Sequence, residues 1–258
     1  MPDRNYALEM GRLGHVSLTV DRLGYDASGH PDGLMSCFGS AADVASQIIS
    51  QLRSGQYSLA GTPPVHFSKV VLAGHDVGGA IAEIEAYSYQ NVDGLILMDW
   101  ADQGFSQART LLALQAGTVC AQGGQPASDG NAGNYVDYGS DDDLRNNYFR
   151  NAEPAVVEAA VALRNRNPCG ELSSLASAPN LNRVRVREIT RPVLLIYGRD
   201  DPAFSEAGVN EQKTNFSGNP DVTLLRIDNT GHAPMLERTA AELRAAVSAW
   251  LGDRQLGG

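Results

Sequence analysis

Gly74-His75-Asp76-Val77-Gly78-Gly79 follows the apolar run Lys69-Val70-Val71-Leu72-Ala73 and leads into Ala80-Ile81-Ala82-Glu83-Ile84-Glu85-Ala86. An apolar strand, a glycine-flanked turn and a helical segment form the setting of a nucleophile elbow. The glycines matter sterically. The turn holds its central residue in a strained conformation and brings the helix against the strand, where bulkier neighbours would clash. The residue at the tip is an acid, Asp76, where most such turns carry serine, and that side chain decides which chemistry is open.

Outward from this turn, five short apolar runs predict buried parallel strands. They are His15–Val20, Lys69–Ala73, Gly94–Met98, Pro192–Tyr197 and Val222–Ile227. Helical patterns alternate with them. Ala41–Arg53 places Val44, Ile48, Ile49 and Leu52 on one face, and Thr239–Leu251 does the same with Leu243, Val247 and Leu251. This alternation predicts an α/β fold, a mostly parallel sheet covered by helices on both faces. The rhythm breaks over 103–190, where helices are predicted at Ser106–Gln115, Asp141–Arg150 and Glu153–Asn165, with a Gly/Asn/Ser-rich span at Gln122–Ser140. The expected organisation is a core of 1–102 and 191–258 with a helical lid, 103–190, over the C-terminal ends of the strands, where α/β sheets bind ligands.

Two further motifs follow in order. Gly198-Arg199-Asp200-Asp201-Pro202 comes after the fourth predicted strand, and Asn229-Thr230-Gly231-His232-Ala233-Pro234 after the fifth. Nucleophile, acid, histidine is the chain order of the α/β-hydrolase fold, and the sequence resembles that superfamily over most of its length. Asp21-Arg22-Leu23-Gly24-Tyr25-Asp26-Ala27-Ser28-Gly29 is similar to the loop after the superfamily's fourth strand. The resemblance implies roles: Asp76 the nucleophile, His232 the base that activates water, Asp201 the acid that orients His232, and the Val77 backbone N–H an oxyanion donor.

An aspartate nucleophile is ionised near neutral pH and can displace a leaving group at an sp³ carbon, giving an alkyl–enzyme ester that His232 then hydrolyses through water. Within the superfamily this scheme belongs to epoxide hydrolases and haloalkane dehalogenases, whose elbows resemble Gly-His-Asp-x-Gly-Gly. Dehalogenases usually place tryptophan after the nucleophile, and here stands Val77. Epoxide hydrolysis is therefore the leading expectation. It requires an acid for the emerging alkoxide, and Tyr135, Tyr138 and Tyr148 are the lid candidates, although for any one of them ordinary lid packing is the commoner role. Asp200, Asp99 and Asp102 are alternative positions for the acid.

Other readings stay open. The Asp21–Tyr25 loop and Val92–Leu97 are as similar to serine-type bacterial lipases and esterases, in which case Asp76 replaces a serine and activity is weak or lost. A noncatalytic ligand-binding protein on the same scaffold is a third. The front of the superfamily's fold is absent: about fourteen residues precede the first predicted strand, and no His-Gly-x-Pro or His-Gly-Gly-Gly loop supplies a second oxyanion donor. Removing the strand that normally separates 15–20 from 69–73 leaves unpaired edges. The two strands close up, a partner chain fills the gap in a homodimer, or the chain is a shortened form of a longer protein.

The net charge of −10 excludes a basic face for nucleic acid or anionic membranes. No apolar run approaches the ~20 residues of a membrane span. No phosphate-loop spacing or zinc-site cysteine pattern occurs, so no metal or other cofactor is expected. Cys120 and Cys169 would bridge in an oxidising compartment, with Cys37 free. The polar start is no signal peptide, which places the chain as written in the cytoplasm, and outside the cell if a leader has been lost. Leu111, Leu112, Leu114, Tyr135, Tyr138 and Phe149 suggest a small to medium apolar organic substrate.

Overall fold

The computed structural model describes residues 2–257. Helix α1 (Tyr6–Arg12) starts behind Asn5, whose side chain accepts the Leu8 N–H at 3.0 Å. Helix α2 (Phe38–Ser54) ends on Gly55, held at φ 68°, the left-handed cap that glycine adopts without a Cβ clash. Strand β1 (Val71–His75), helix α3 (Val77–Tyr89) and strand β2 (Gly94–Met98) follow. The chain then leaves the sheet through α4 (Gln107–Ala121), β3 (Tyr135–Val136), α5 (Asp141–Tyr148), α6 (Pro154–Ala162), β4 (Asn167–Pro168), α7 (Cys169–Leu175) and α8 (Ala178–Arg185). It returns as β5 (Val193–Gly198), α9 (Glu206–Asn215), β6 (Val222–Ile227) and α10 (Ala240–Asp253).

The main sheet has four parallel strands in the order β1-β2-β5-β6. Period-two alternation sorts its side chains into two cores. Leu95, Leu97, Val193, Leu195 and Tyr197 face a cluster with α2, α3 and α9. Ile96, Met98, Leu194 and Ile196 face the opposite cluster, closed by Met10 of α1 and Leu243, Val247 and Trp250 of α10. The α/β architecture read from the sequence is therefore present.

Two strand expectations are corrected. His15–Val20 forms no ladder. It runs irregularly with Val16 at 72% and Leu18 at 59% exposure, because no neighbouring strand takes its N–H and C=O groups. The apolar alternation there was real, but a strand needs a partner as well as a pattern. The elbow strand lies two residues further on than 69–73, since Gly74 and His75 continue the ladder opposite Leu97 and Met98. Among the described residues nothing pairs the outer edge of β1. In the stretch between β2 and β5, α4 runs longer than predicted, while α7 and α8 have no counterpart in the sequence reading.

Cys120 and Cys169 are joined in a disulfide that ties the end of α4 to the start of α7. Cys37 is free. A second tie is polar: the buried Glu83 of α3 accepts from Asn182 of α8 at 2.8 Å, Gln212 of α9 at 2.7 Å and the Trp100 indole at 3.3 Å. Burial, then the neighbouring Asp102, raises the Glu83 carboxyl well above the usual range.

Glu83→Ala removes a shared acceptor from two buried amides and the Trp100 indole and is expected to cost about 1–3 kcal/mol in urea unfolding, while Glu83→Gln, of similar size, loses clearly less. Reducing Cys120–Cys169 frees a 49-residue separation and should remove on the order of 4 kcal/mol, read as a fall in Tm with reductant.

Candidate active site

Asp76 stands between β1 and α3 at φ 50°, ψ −130°, a conformation that costs a non-glycine residue energy. Its surroundings enforce it. A Cβ at Gly74 would overlap the Gly78 carbonyl, and one at Gly79 would sit 2.5 Å from the Trp100 Cβ, so the helix packs on the strand only with glycine at both places. The sharp turn leaves the Asp76 side chain at the mouth of a cavity of about 170 Å³. Val77 lines the same cavity, and its N–H lies in the first turn of α3, where helical donors lack intrahelical acceptors.

His232 is fully buried on the loop after β6. Its Nδ1 lies 2.9 Å from Asp201 Oδ2, and its Nε2 is 3.4 Å from Asp76 Oδ2, an ion-pair distance without hydrogen-bond geometry. Asp201 is itself fixed, its Oδ1 accepting the Ala203 N–H at 2.7 Å. The three residues expected from motif order are thus brought together. The alternatives are not equivalent. Asp200 is exposed, and Asp102 turns into the Glu83 network. Asp99 is buried beside Asp201 and accepts the Gly198 N–H at 2.8 Å. Burial, then Asp201, raises the Asp99 carboxyl well above its ordinary range.

His75 braces the site from behind. Its Nε2 meets the His232 carbonyl oxygen at 2.5 Å. Burial, then the charge of His232, lowers its pKa to about 4. The ring is therefore neutral and donates that bond.

The three tyrosines separate. Tyr148 places its hydroxyl 3.2 Å from Asp76 Oδ2, and its carbonyl accepts the Ala233 N–H at 3.0 Å, so the histidine loop positions it. Tyr138 lines the cavity, but its hydroxyl donates to the Arg109 carbonyl at 3.0 Å. Tyr135 is buried away from Asp76 and donates to the Pro31 carbonyl at 2.8 Å. The expected apolar lining is also corrected. Leu111 and Leu114 face solvent on α4, and the cavity takes Leu144, Leu172 and Leu175 instead, with Arg164, Asn165, Asn167 and Glu171.

Sequence reasoning missed Arg109. It is buried on α4, with Nη2 against Asp76 Oδ1 and Nη1 3.2 Å from the Tyr148 hydroxyl. One signal was available: Arg109 is the single charged residue of α4, an otherwise neutral helix. Burial opposes the charge on Asp76, but Arg109, then His232, outweigh it and hold its carboxyl well below the usual range. Burial likewise opposes the charged His232 ring, but Asp201, then Asp76, raise its pKa to about 10. The loop over Asp21–Gly29 reaches the cavity rim, where Arg22 pairs with Glu171 at 2.7 Å and Tyr25 donates to the same carboxylate at 2.7 Å.

Residues 5–246 match the α/β hydrolase family, and the chain belongs to it. No curated protein matches the sequence significantly. Among solved structures, a thermophilic esterase from Thermogutta terrifontis aligns at 20% identity and TM-score 0.65, over 92% of this chain and 79% of that one. A monoacylglycerol lipase from Paleococcus ferrophilus aligns at 16% identity and TM-score 0.67, over 90% and 81%. A protein assigned as a non-haem bromoperoxidase from Mycobacterium tuberculosis aligns at 18% identity and TM-score 0.63, over 92% and 81%. These likenesses place the fold. No helix of the described residues is long and apolar enough to cross a membrane.

Folding raises the His232 pKa from 6.5 to about 10, so this ring adds its full stability below pH 6.5 and loses it as pH rises through 10. Thermal unfolding should therefore show Tm falling between pH 7 and 10. Asp201→Asn, which removes the larger favourable partner, should flatten that slope.

Proposed function

We propose that the protein is a hydrolase that opens epoxides with Asp76 as nucleophile, His232 as the base for water and Asp201 as its orienting acid. The observation that carries this reading is the convergence of Tyr148 Oη and His232 on one oxygen of an ionised Asp76. A carboxylate attacks a ring carbon without prior deprotonation, and the ring oxygen must gain a proton as it leaves. Tyr148 is the donor within reach. Once Asp76 is an ester, His232 has lost one of the two carboxylates that raise its pKa. It then gives up its proton more readily, and the neutral ring draws one from water. The Val77 N–H, at the positive end of α3, supports the tetrahedral intermediate. In this reading residues 103–190 are a lid over a core of 1–102 and 191–258, and the Cys120–Cys169 bond keeps the lid helices α4 and α7 together beside the cavity.

A second reading is favoured by Arg109, whose charge damps the nucleophilicity of Asp76, and by the esterase and lipase activities named for the similar structures. There Asp76 stands where a serine would act on carboxylic esters, and the native chain is nearly silent.

Turnover of a simple aryl epoxide and of a p-nitrophenyl ester separates the two, measured for the chain and for Asp76→Ala and Asp76→Ser. The first reading expects epoxide turnover that vanishes in both variants. Ester hydrolysis that emerges only in Asp76→Ser would establish the second. Tyr148→Phe is expected to lower epoxide turnover about 10²-fold or more, the scale of a lost general acid.

A further inference from the structure

The Val77 N–H, in the first turn of α3, is one donor for a developing oxyanion, and a second donor beside the same carboxyl strengthens that stabilisation. Arg109 Nη2 lies on Asp76 Oδ1, the oxygen that Tyr148 and His232 leave free. Its guanidinium is buried between the rings of Tyr138 and Tyr148, whose centroids lie 5.3 and 5.6 Å from it. Among the described residues Asp76 is the one carboxylate within ion-pair distance of Arg109.

That pairing makes the charge state of Asp76 decisive. Attack forms a bond from one Asp76 oxygen to a ring carbon and breaks the ring C–O bond. The electron pair stays on the ring oxygen, which takes the Tyr148 proton, and the phenolate is re-protonated from His232. Asp76 is now a neutral ester, and Arg109 has lost its counterion. A buried cation without a partner is unfavourable. Water then gives a proton to neutral His232 as its oxygen bonds to the ester carbon. The carbonyl electron pair moves onto the ester's carbonyl oxygen, restoring a negative charge on the Asp76 side chain. Collapse expels the product oxygen, which takes the remaining water proton from the new Asp76 hydroxyl, and returns Asp76 as a carboxylate.

We propose that Arg109 is a catalytic oxyanion donor, a charged side chain that acts with the Val77 N–H and speeds hydrolysis of the Asp76 ester. The inference rests on the epoxide-opening reading for its kinetic arm. A buried donor that gains a charged partner only in the transition state is the arrangement that accelerates a step. Arg109 also lines, with Tyr138 and Leu175, the cavity at Asp76 and a second one of about 140 Å³, and removing the Asp76 carboxylate leaves its guanidinium without an anion.

Two measurements test this. Acid-quenched mass spectrometry of the protein mixed with aryl epoxide follows formation and loss of the Asp76 ester. Arg109→Met should slow loss of the ester about 10²–10³-fold, far more than it changes ester formation, so the ester accumulates, and Arg109→Lys should recover part of the rate. A merely structural role would slow both steps alike, and that result, or an unchanged rate of ester loss, overturns the proposal. Independently of turnover, acetate should raise the Tm of Asp76→Ala, but not of Asp76→Ala/Arg109→Met or the unaltered chain. Acetate without effect on Asp76→Ala overturns Arg109 as an oxyanion donor. Arg109-dependent acetate binding with no ester at any time supports Arg109 as an oxyanion seat and overturns Asp76 as the nucleophile.

Discussion

A buried carboxylate in a strained turn sets the terms for everything near it. Asp76 stays ionised only because Arg109 and His232 outweigh the cost of taking it out of water. Each of those groups is anchored by separate parts of the chain: Arg109 by α4, His232 by the loop after β6, and Tyr148 by α5 and its backbone bond to Ala233. The turn depends in turn on Gly74 and Gly79, without which α3 could not lie against β1 and Trp100. Backbone sterics and buried charge therefore act on the same residue, one fixing where the carboxylate sits and the other fixing its protonation state.

Charge balance extends this through the site. Asp76 and Asp201 are held toward their charged form, as are His232 and Arg109, while Asp99 is pushed toward its neutral form, so two ion pairs share a buried volume. The chain as a whole carries −10. Proton transfer between such groups moves charge over a few ångströms without creating an isolated ion, which a low-dielectric interior resists. His75 fits the same logic: as a second cation beside His232 it would be costly, and it is held neutral as a hydrogen-bond donor.

How much of this was legible depended on how locally each feature is encoded. That Asp76, Asp201 and His232 lie together could be anticipated because each follows directly on a strand end, and the parallel strands β1, β5 and β6 end on the same side of the sheet. Tyr148 could be named only as one of three, since the choice depends on how α5 packs against the histidine loop. Arg109 is 33 residues from Asp76 and belongs to no motif, so only its isolation in a neutral helix marked it. Asp99 looked like a rival acid because its place past β2 suits that role, but the His232 ring turns its Nδ1 to Asp201 while Asp99 accepts the Gly198 N–H. His15–Val20 failed for the complementary reason: alternation records a face, while strand formation needs a neighbour elsewhere in the fold.

The central pairing of the sheet joins Leu95 of β2 to Val193 of β5, positions nearly a hundred residues apart. Between them lie the two-stranded ribbon of β3 and β4 and a disulfide whose ends are both inside the intervening stretch. Closing that loop is the entropically demanding event in assembling the sheet, because β2 cannot be flanked on its inner side until β5 has been reached. A compact, cross-linked intervening segment shortens the effective distance. The part of the chain that shapes the cavity thus also speeds the docking of β5, and oxidation of Cys120 and Cys169 acts on the rate of folding as well as on its end point.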